Sequence, residues 1–217
     1  MITFKKTVST DEVVEAVADR IIDALQAGKR VVWLVSGGSL IPLEVAVMGR
    51  VAAHECGGLV IVQADERYAG PGHASSNWQQ LLEAGFTTGS AYAVPVLAGL
   101  GLAETTQRYD ALLRTVLEAE SVMSIGFFGI GADGHTAGIL PDSPALQSTD
   151  MVTSYQGPDY TRVTVTPRVI AALDIVIAYA AGETKHLALK QLHDDLPVAK
   201  QPAQLLKQVR EAYIYHG

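Results

Sequence analysis

The chain of 217 residues contains a single cysteine, Cys56. No disulfide can form within it, and neither a C-x-x-C pair nor a zinc-type cluster occurs, so no metal is expected. No run of about 18 apolar residues free of charge is present, which argues against a membrane span. The opening MITFKKTVST carries charge but no apolar segment and does not read as a secretory signal. Lys and Arg number 16 against 23 Asp and Glu, a net charge of -7, and the basic residues are scattered. The electrostatic footprint of a nucleic-acid surface is therefore missing. A small anionic ligand stays open, because it needs only two or three local cations. The expectation is a cytoplasmic protein, monomer or small homo-oligomer, with neither nucleic acid nor membrane as partner.

Apolar residues are plentiful. They make up 48% of the chain against 18% charged, enough for a sizeable core. The length suits one α/β domain spanning 1–217. Residues 9–28 read as a helix: Val13, Val14, Val17, Ile21, Ile22 and Leu25 recur at helical spacing, Ser9 with Glu12 suggests a capping box, and Gly28 supplies the stop. Short apolar runs at 31–35, 59–64, 122–128 and 175–180 read as buried strands, with further strands at 91–96, 151–154, 162–166 and 212–216. Helices are expected at 42–54, 78–84, 103–120, 168–173 and 184–193. The alternation predicts a single doubly wound, mostly parallel sheet with helices on both faces, a Rossmann-like three-layer sandwich. In such sheets ligands bind outside the carboxyl ends of the strands.

Four polar motifs follow predicted strands. Ser36-Gly37-Gly38-Ser39 separates a strand from a helix. Its glycines permit close backbone approach, the helix start offers free N–H groups to an anion, and the two hydroxyls add donors. A plain tight turn explains it equally well. Asp65-Glu66-Arg67, followed by Ser75-Ser76-Asn77, is either a solvated loop or an acid and a cation reaching into the crevice. Gly129-Ile130-Gly131-Ala132-Asp133-Gly134-His135 contains a literal G-x-G-x-x-G. A dinucleotide site is rejected, since the segment up to Pro141 allows about one helical turn where a long helix is required. What remains is Asp133-Gly134-His135, a histidine with a carboxylate two residues away. An ordinary imidazole titrates near about 6.5, which suits proton transfer at neutral pH. Finally, Arg162 opens one strand and Lys185 follows another, and the pair could close a phosphate site with the serine loop. No Walker A sequence and no G-x-S-x-G elbow occurs.

Taken in order, these motifs resemble the 6-phosphogluconolactonase family, which shares a superfamily with the glucosamine-6-phosphate deaminases (isomerases). The resemblance rests on Ser36-Gly37-Gly38-Ser39, Asp65-Glu66-Arg67, Ser76-Asn77, the stretch from Gly129 to Ala137, Arg162-Val163-Thr164, and Gly182 with Lys185. It departs from the family pattern at Leu40-Ile41, where Thr-Pro is usual, and at Gly138-Ile139-Leu140-Pro141, where Ser-Leu-Phe-Pro is usual. Deaminases carry a glutamate five residues after the motif histidine; Leu140 stands there, which favours the lactonase branch. The resemblance implies hydrolysis of a sugar-phosphate lactone without cofactor. His135 would be the base, and Asp133 would bind sugar hydroxyls or orient the loop. Asp65 and Arg67 would complete the catalytic group. Ser36, Gly37, Gly38, Ser39, Asn77, Arg162 and Lys185 would bind substrate and phosphate. Arg67 and the N–H groups near Gly37 and Gly38 both remain open as oxyanion donors. Two rivals stand beside this reading: an aldose–ketose isomerase or deaminase, and a non-catalytic sugar-phosphate sensor.

Overall fold

Alternation along the strands decides the layering of this computed structural model, which describes residues 2–217. In chain order the elements are β1 (Ile2–Lys6), α1 (Thr10–Gln26), β2 (Arg30–Val35), α2 (Ile41–Val51), β3 (Leu59–Gln63), β4 (Asp65–Arg67), α3 (Asn77–Glu83), β5 (Tyr92–Val94), α4 (Leu102–Leu117), β6 (Val122–Gly129), β7 (Val152–Gln156), β8 (Thr161–Val165), α5 (Pro167–Ala172), β9 (Ile175–Ala180), α6 (His186–Leu192) and β10 (Glu211–His216). Val31, Trp33 and Val35 of β2 pack with Ile125 and Phe127 of β6 against α1 and α2. Val32 and Leu34, with Phe128, point to the other face, where α4, α5 and α6 cover them. A strand buried on both faces favours apolar residues at nearly every position, and so β9 and β2 after Arg30 read as apolar runs, as does β6 apart from Ser124.

The main sheet has seven strands in the order β1-β10-β9-β6-β2-β3-β5, every neighbouring pair parallel. From β2 the chain winds outward through β3 to β5. It then returns to β6 and winds the other way through β9 to β10. The order reverses between β2 and β6, and a crevice opens at such a switch point outside the carboxyl ends of the strands.

A second sheet was not expected. β4, β8 and β7 form a three-stranded antiparallel sheet of their own. The segments 151–154 and 162–166, read as members of one parallel sheet, belong to it, and Asp65-Glu66-Arg67 is its edge strand rather than a loop. β1 was missed as well: it is an edge strand whose lysines face outward. The capping box is also corrected. Ser9 accepts from the Asp11 N–H at 3.1 Å, but its own N–H goes to the Thr7 hydroxyl, and Thr7, not Ser9, meets Glu12.

Gly126 lies mid-strand in β6, where a Cβ would meet the Phe128 ring at 2.6 Å and Leu173 at 2.9 Å. Gly126→Ala is expected to lower unfolding free energy by about 1–3 kcal/mol through overpacking, measured by urea denaturation. Unchanged stability would show that this core relaxes at no cost.

Candidate active site

Four adjacent parallel strands, β9, β6, β2 and β3, end on the same edge of the sheet, and the loops after them meet the small antiparallel sheet. Between them lies a cavity of about 280 Å³ lined by Ser36, Gly37, Gly38, Ser39, Asp65, Arg67, Asn77, His135, Arg162 and Lys185, with Gly129 to Gly131 and Ala137. The volume is at the small end for ligand sites. Every residue given a catalytic or binding role from the sequence is on its wall except Asp133, which stands behind the histidine.

The histidine loop is built around missing side chains. A Cβ on Gly131 would come within 2.1 Å of His135 Nδ1 and 2.6 Å of Asp133 Oδ1. Gly134 has φ +80, in the left-handed region that glycine adopts without strain. Gly131 N–H donates to His135 O at 2.9 Å and closes the loop, while Thr136 Oγ1 donates to Gly129 O at 3.0 Å. Folded this way, Asp133 Oδ1 lies 2.6 Å from His135 Nδ1 and also accepts the His135 N–H at 3.1 Å. The hydrogen bond from His135 holds the Asp133 carboxyl below its ordinary range, against partial burial. An ionised carboxylate only accepts, so Nδ1 carries a proton, and in the neutral ring Nε2 is then the nitrogen with the lone pair. That is the tautomer of a general base. Asp133 Oδ1 is thereby taken up by the histidine.

The small sheet delivers the cations. Arg67 and Arg162 are direct cross-strand partners, with Asp65 opposite Thr164 two residues along on the same face. Two cationic side chains thus start side by side on one face, with the Asp65 carboxylate, on which both act, beside them. Arg67 donates to Ser75 O at 3.2 Å and stacks over Tyr160 at 5.0 Å. Arg162 lies 3.9 Å from Asp65, and its Nε is buried without a partner. Burial pushes Asp65 up to about 6, Arg162 pulling the other way. Across the cavity Lys185 Nζ donates to Ser39 Oγ at 3.4 Å, and burial lowers its pKa.

Two sequence readings change. Ser36 was expected to offer its hydroxyl to a ligand. Instead its Oγ donates to Phe127 O at 2.9 Å and its N–H to Glu44 Oε1 at 2.6 Å, fastening β2 to β6 and α2. Asn77 is more constrained than a simple ligand contact: its Nδ2 donates to Asp65 O at 3.1 Å, and Gly37 must lack a Cβ because one would meet Asn77 Cγ at 2.6 Å. Glu66 was missed as a site residue. Fully buried, its carboxylate accepts from Gln63 Nε2, Arg67 N, Ser76 Oγ, Asn77 N and Trp78 N, at 2.7–3.0 Å. It ties the start of α3 to β4 and so sets Asn77 and Arg67. Reading Asp65-Glu66-Arg67 as a strand, with period 2, would have put Glu66 on the inner side. Among the described residues no three His, Cys, Asp or Glu side chains gather as metal ligands.

The sequence model described as glucosamine-6-phosphate isomerases/6-phosphogluconolactonase matches residues 5–215. The chain belongs to this family. It is 28% identical over 195 residues to the 6-phosphogluconolactonase of Bos taurus, covering 83% of this chain and 75% of the relative. The 6-phosphogluconolactonase of Nostoc is 27% identical over 179 residues, covering 77% and 72%. Among solved structures, a 6-phosphogluconolactonase from Shewanella baltica superposes with a TM-score of 0.83 at 19% identity, covering 100% of this chain and 98% of the other. One from Thermotoga maritima gives 0.81 at 21%, covering 100% and 99%. At these identities the structural likeness speaks for the fold.

The departures from the family pattern acquire physical reasons. Leu40 and Ile41 are core residues packed with α1 and β2, not cavity wall. Gly138 lies where a Cβ would meet Asp65 Cβ and Thr164 Cβ at 2.8 Å. Leu140 is off the cavity, packed against the core on the far side of the histidine loop. No carboxylate stands at the position that separates deaminases.

Glu66→Leu leaves several buried donors without an acceptor. It is expected to cost about 3 kcal/mol or more, read by urea unfolding. A cost below about 1 kcal/mol would remove Glu66 as the anchor of this corner.

Proposed function

We propose that the chain hydrolyses 6-phosphoglucono-1,5-lactone to 6-phosphogluconate. The relatives named above carry that activity in their names, and one observation supports it most: a histidine on the cavity wall, its Nδ1 committed to Asp133 and its Nε2 left as acceptor. Nε2 takes a proton from water as the oxygen attacks the lactone carbonyl. The resulting imidazolium returns that proton to the ring oxygen as the C–O bond breaks, so the ring opens to the acid and the base is regenerated. Arg67 or the N–H groups of Gly37 and Gly38 receive the oxyanion. Ser39, Lys185 and Arg162 hold the phosphate, which places the carbonyl by remote binding energy. Asp65 and Asn77 meet the sugar hydroxyls beside them.

The same proposal takes residues 1–217 as one domain of a cytoplasmic enzyme, monomer or small homo-oligomer, that works without metal or cofactor and binds neither nucleic acid nor membrane. The scattered basic residues and net charge of -7 support this, and no helix among the described residues is long and apolar enough to cross a membrane. The absence of a carboxylate at Leu140 disfavours the deaminase alternative.

With freshly generated lactone and spontaneous hydrolysis subtracted, His135→Ala is expected to lower kcat by roughly 100- to 10,000-fold with the fold intact. Full activity would remove His135 from the chemistry. Arg162→Ala is expected to raise KM by about 10- to 100-fold with a smaller change in kcat. An unchanged KM would take Arg162 out of the clamp.

A further inference from the structure

Glu44 has no part in the steps above, yet it lies directly beneath the loop that would hold the phosphate. It is the fourth residue of α2, and helical side chains lean toward the helix start. Its carboxyl group thereby reaches the Ser36 N–H, 2.6 Å from Oε1, at the point where β2 gives way to the Ser36–Ser39 loop. The side chain has no exposure to solvent, and Oε2 is buried with no hydrogen-bond partner. A buried carboxylate needs a cation or several donors; Glu44 has one backbone N–H.

The charged groups around it offer no compensation. On its own helix the other charge is Arg50, which pairs with Glu15 of α1 at the surface, at 3.2 Å. Glu83 of α3 is engaged at the surface by Gln79. Asp65 of β4 is the ionisable group that acts on Glu44, and it repels. Burial pushes Glu44 up to about 8, the Ser36 N–H opposing and Asp65 adding to the rise. At neutral pH the group is therefore an uncharged acid.

The geometry points to Glu44 as a positioning residue: as a neutral acid it fixes the Ser36–Ser39 loop in the form that receives the substrate phosphate, and loss of its proton puts a buried negative charge beneath that loop and weakens phosphate binding. This rests on the lactonase reading for the identity of the phosphate, but not for the behaviour of the acid itself. Glutamine keeps the acceptor for Ser36 N–H and cannot ionise. Leucine removes the acceptor.

The sign for stability follows from linkage. The unfolded chain releases this proton near about 4.5 and the folded chain near about 8. Over that window the native state binds more protons. The unfolding constant therefore rises by up to about tenfold per pH unit, and the rise ends above pH 8.

The experiment measures 6-phosphogluconate and inorganic phosphate binding by calorimetry between pH 6.5 and 9 for the parent protein, Glu44→Gln and Glu44→Leu, with urea unfolding over pH 5–8. Lys185, itself shifted down, and phosphate are common to all three, so the ratio of affinities reports the ionisation of Glu44 together with its coupling to Asp65. The expected result is that parent and Glu44→Gln bind alike near pH 7. From pH 7 to 9 the parent then loses up to about tenfold more affinity than Glu44→Gln. Glu44→Leu binds more weakly at every pH, and the parent-to-Gln ratio of unfolding constants climbs from pH 5 to 8. A pH-independent ratio with both ligands overturns the role of Glu44 and leaves the lactonase reading intact. Failure to bind 6-phosphogluconate, with a pH-dependent ratio for phosphate, overturns the lactonase reading and supports Glu44.

Discussion

The hydrogen bond between His135 Nδ1 and Asp133, 2.6 Å long, decides which ring nitrogen is free to take a proton. Everything nearby is arranged so that this contact can exist. Gly131 gives up a side chain because its Cβ would occupy the space of the ring, and Gly134 turns with positive φ so that the ring folds back over the carboxylate. Tyr155 OH donates to Gly138 O at 2.7 Å and Thr164 Oγ1 accepts the Gly138 N–H at 3.1 Å, so the chain leaving the histidine is tied to the small sheet. His135 and the two arginines therefore share one frame, as the proposed chemistry requires.

That frame is an assembly of two sheets with different tasks. The parallel sheet opens a crevice between β2 and β6 and supplies the serine and histidine loops on either side of it. The antiparallel sheet presents charged side chains, which a parallel sheet buried on both faces cannot carry. Arg67 and Arg162 stand opposite each other across its strands, and the Asp65 carboxylate on the same face feels both. Buried acids balance the corner in opposite ways. Glu66 is surrounded by donors, whereas Glu44 has a single N–H and is held as a neutral acid.

Much of this was legible in the chain itself. Residues 31–35 and 122–128 read as strands because burial on both faces leaves an apolar run, broken only by Ser124 and Gly126 in the second. Gly129 to His135 stood out because a G-x-G-x-x-G without a following helix lacks a nucleotide explanation. What stayed hidden depended on partners far along the chain. β1 carries Lys5 and Lys6 and pairs only with β10 at the other end of the sequence, so its alternation was masked by charge. Glu66 is satisfied by N–H groups of Asn77 and Trp78, and nothing within Asp65-Glu66-Arg67 announces them. Ser36 looked like a ligand donor until Phe127 and Glu44 proved to hold both its hydrogens.

The central claim is spatial: one end of a sugar phosphate meets the imidazole while the other meets the cations. A crystal structure with bound 6-phosphogluconate tests it most directly. The account predicts the C1 carboxylate beside His135 Nε2, bonded to it directly where the ring is protonated and through a water where it is neutral, and the phosphate among Ser39, Arg162 and Lys185. A ligand bound end for end, or one that leaves His135 untouched, would contradict it.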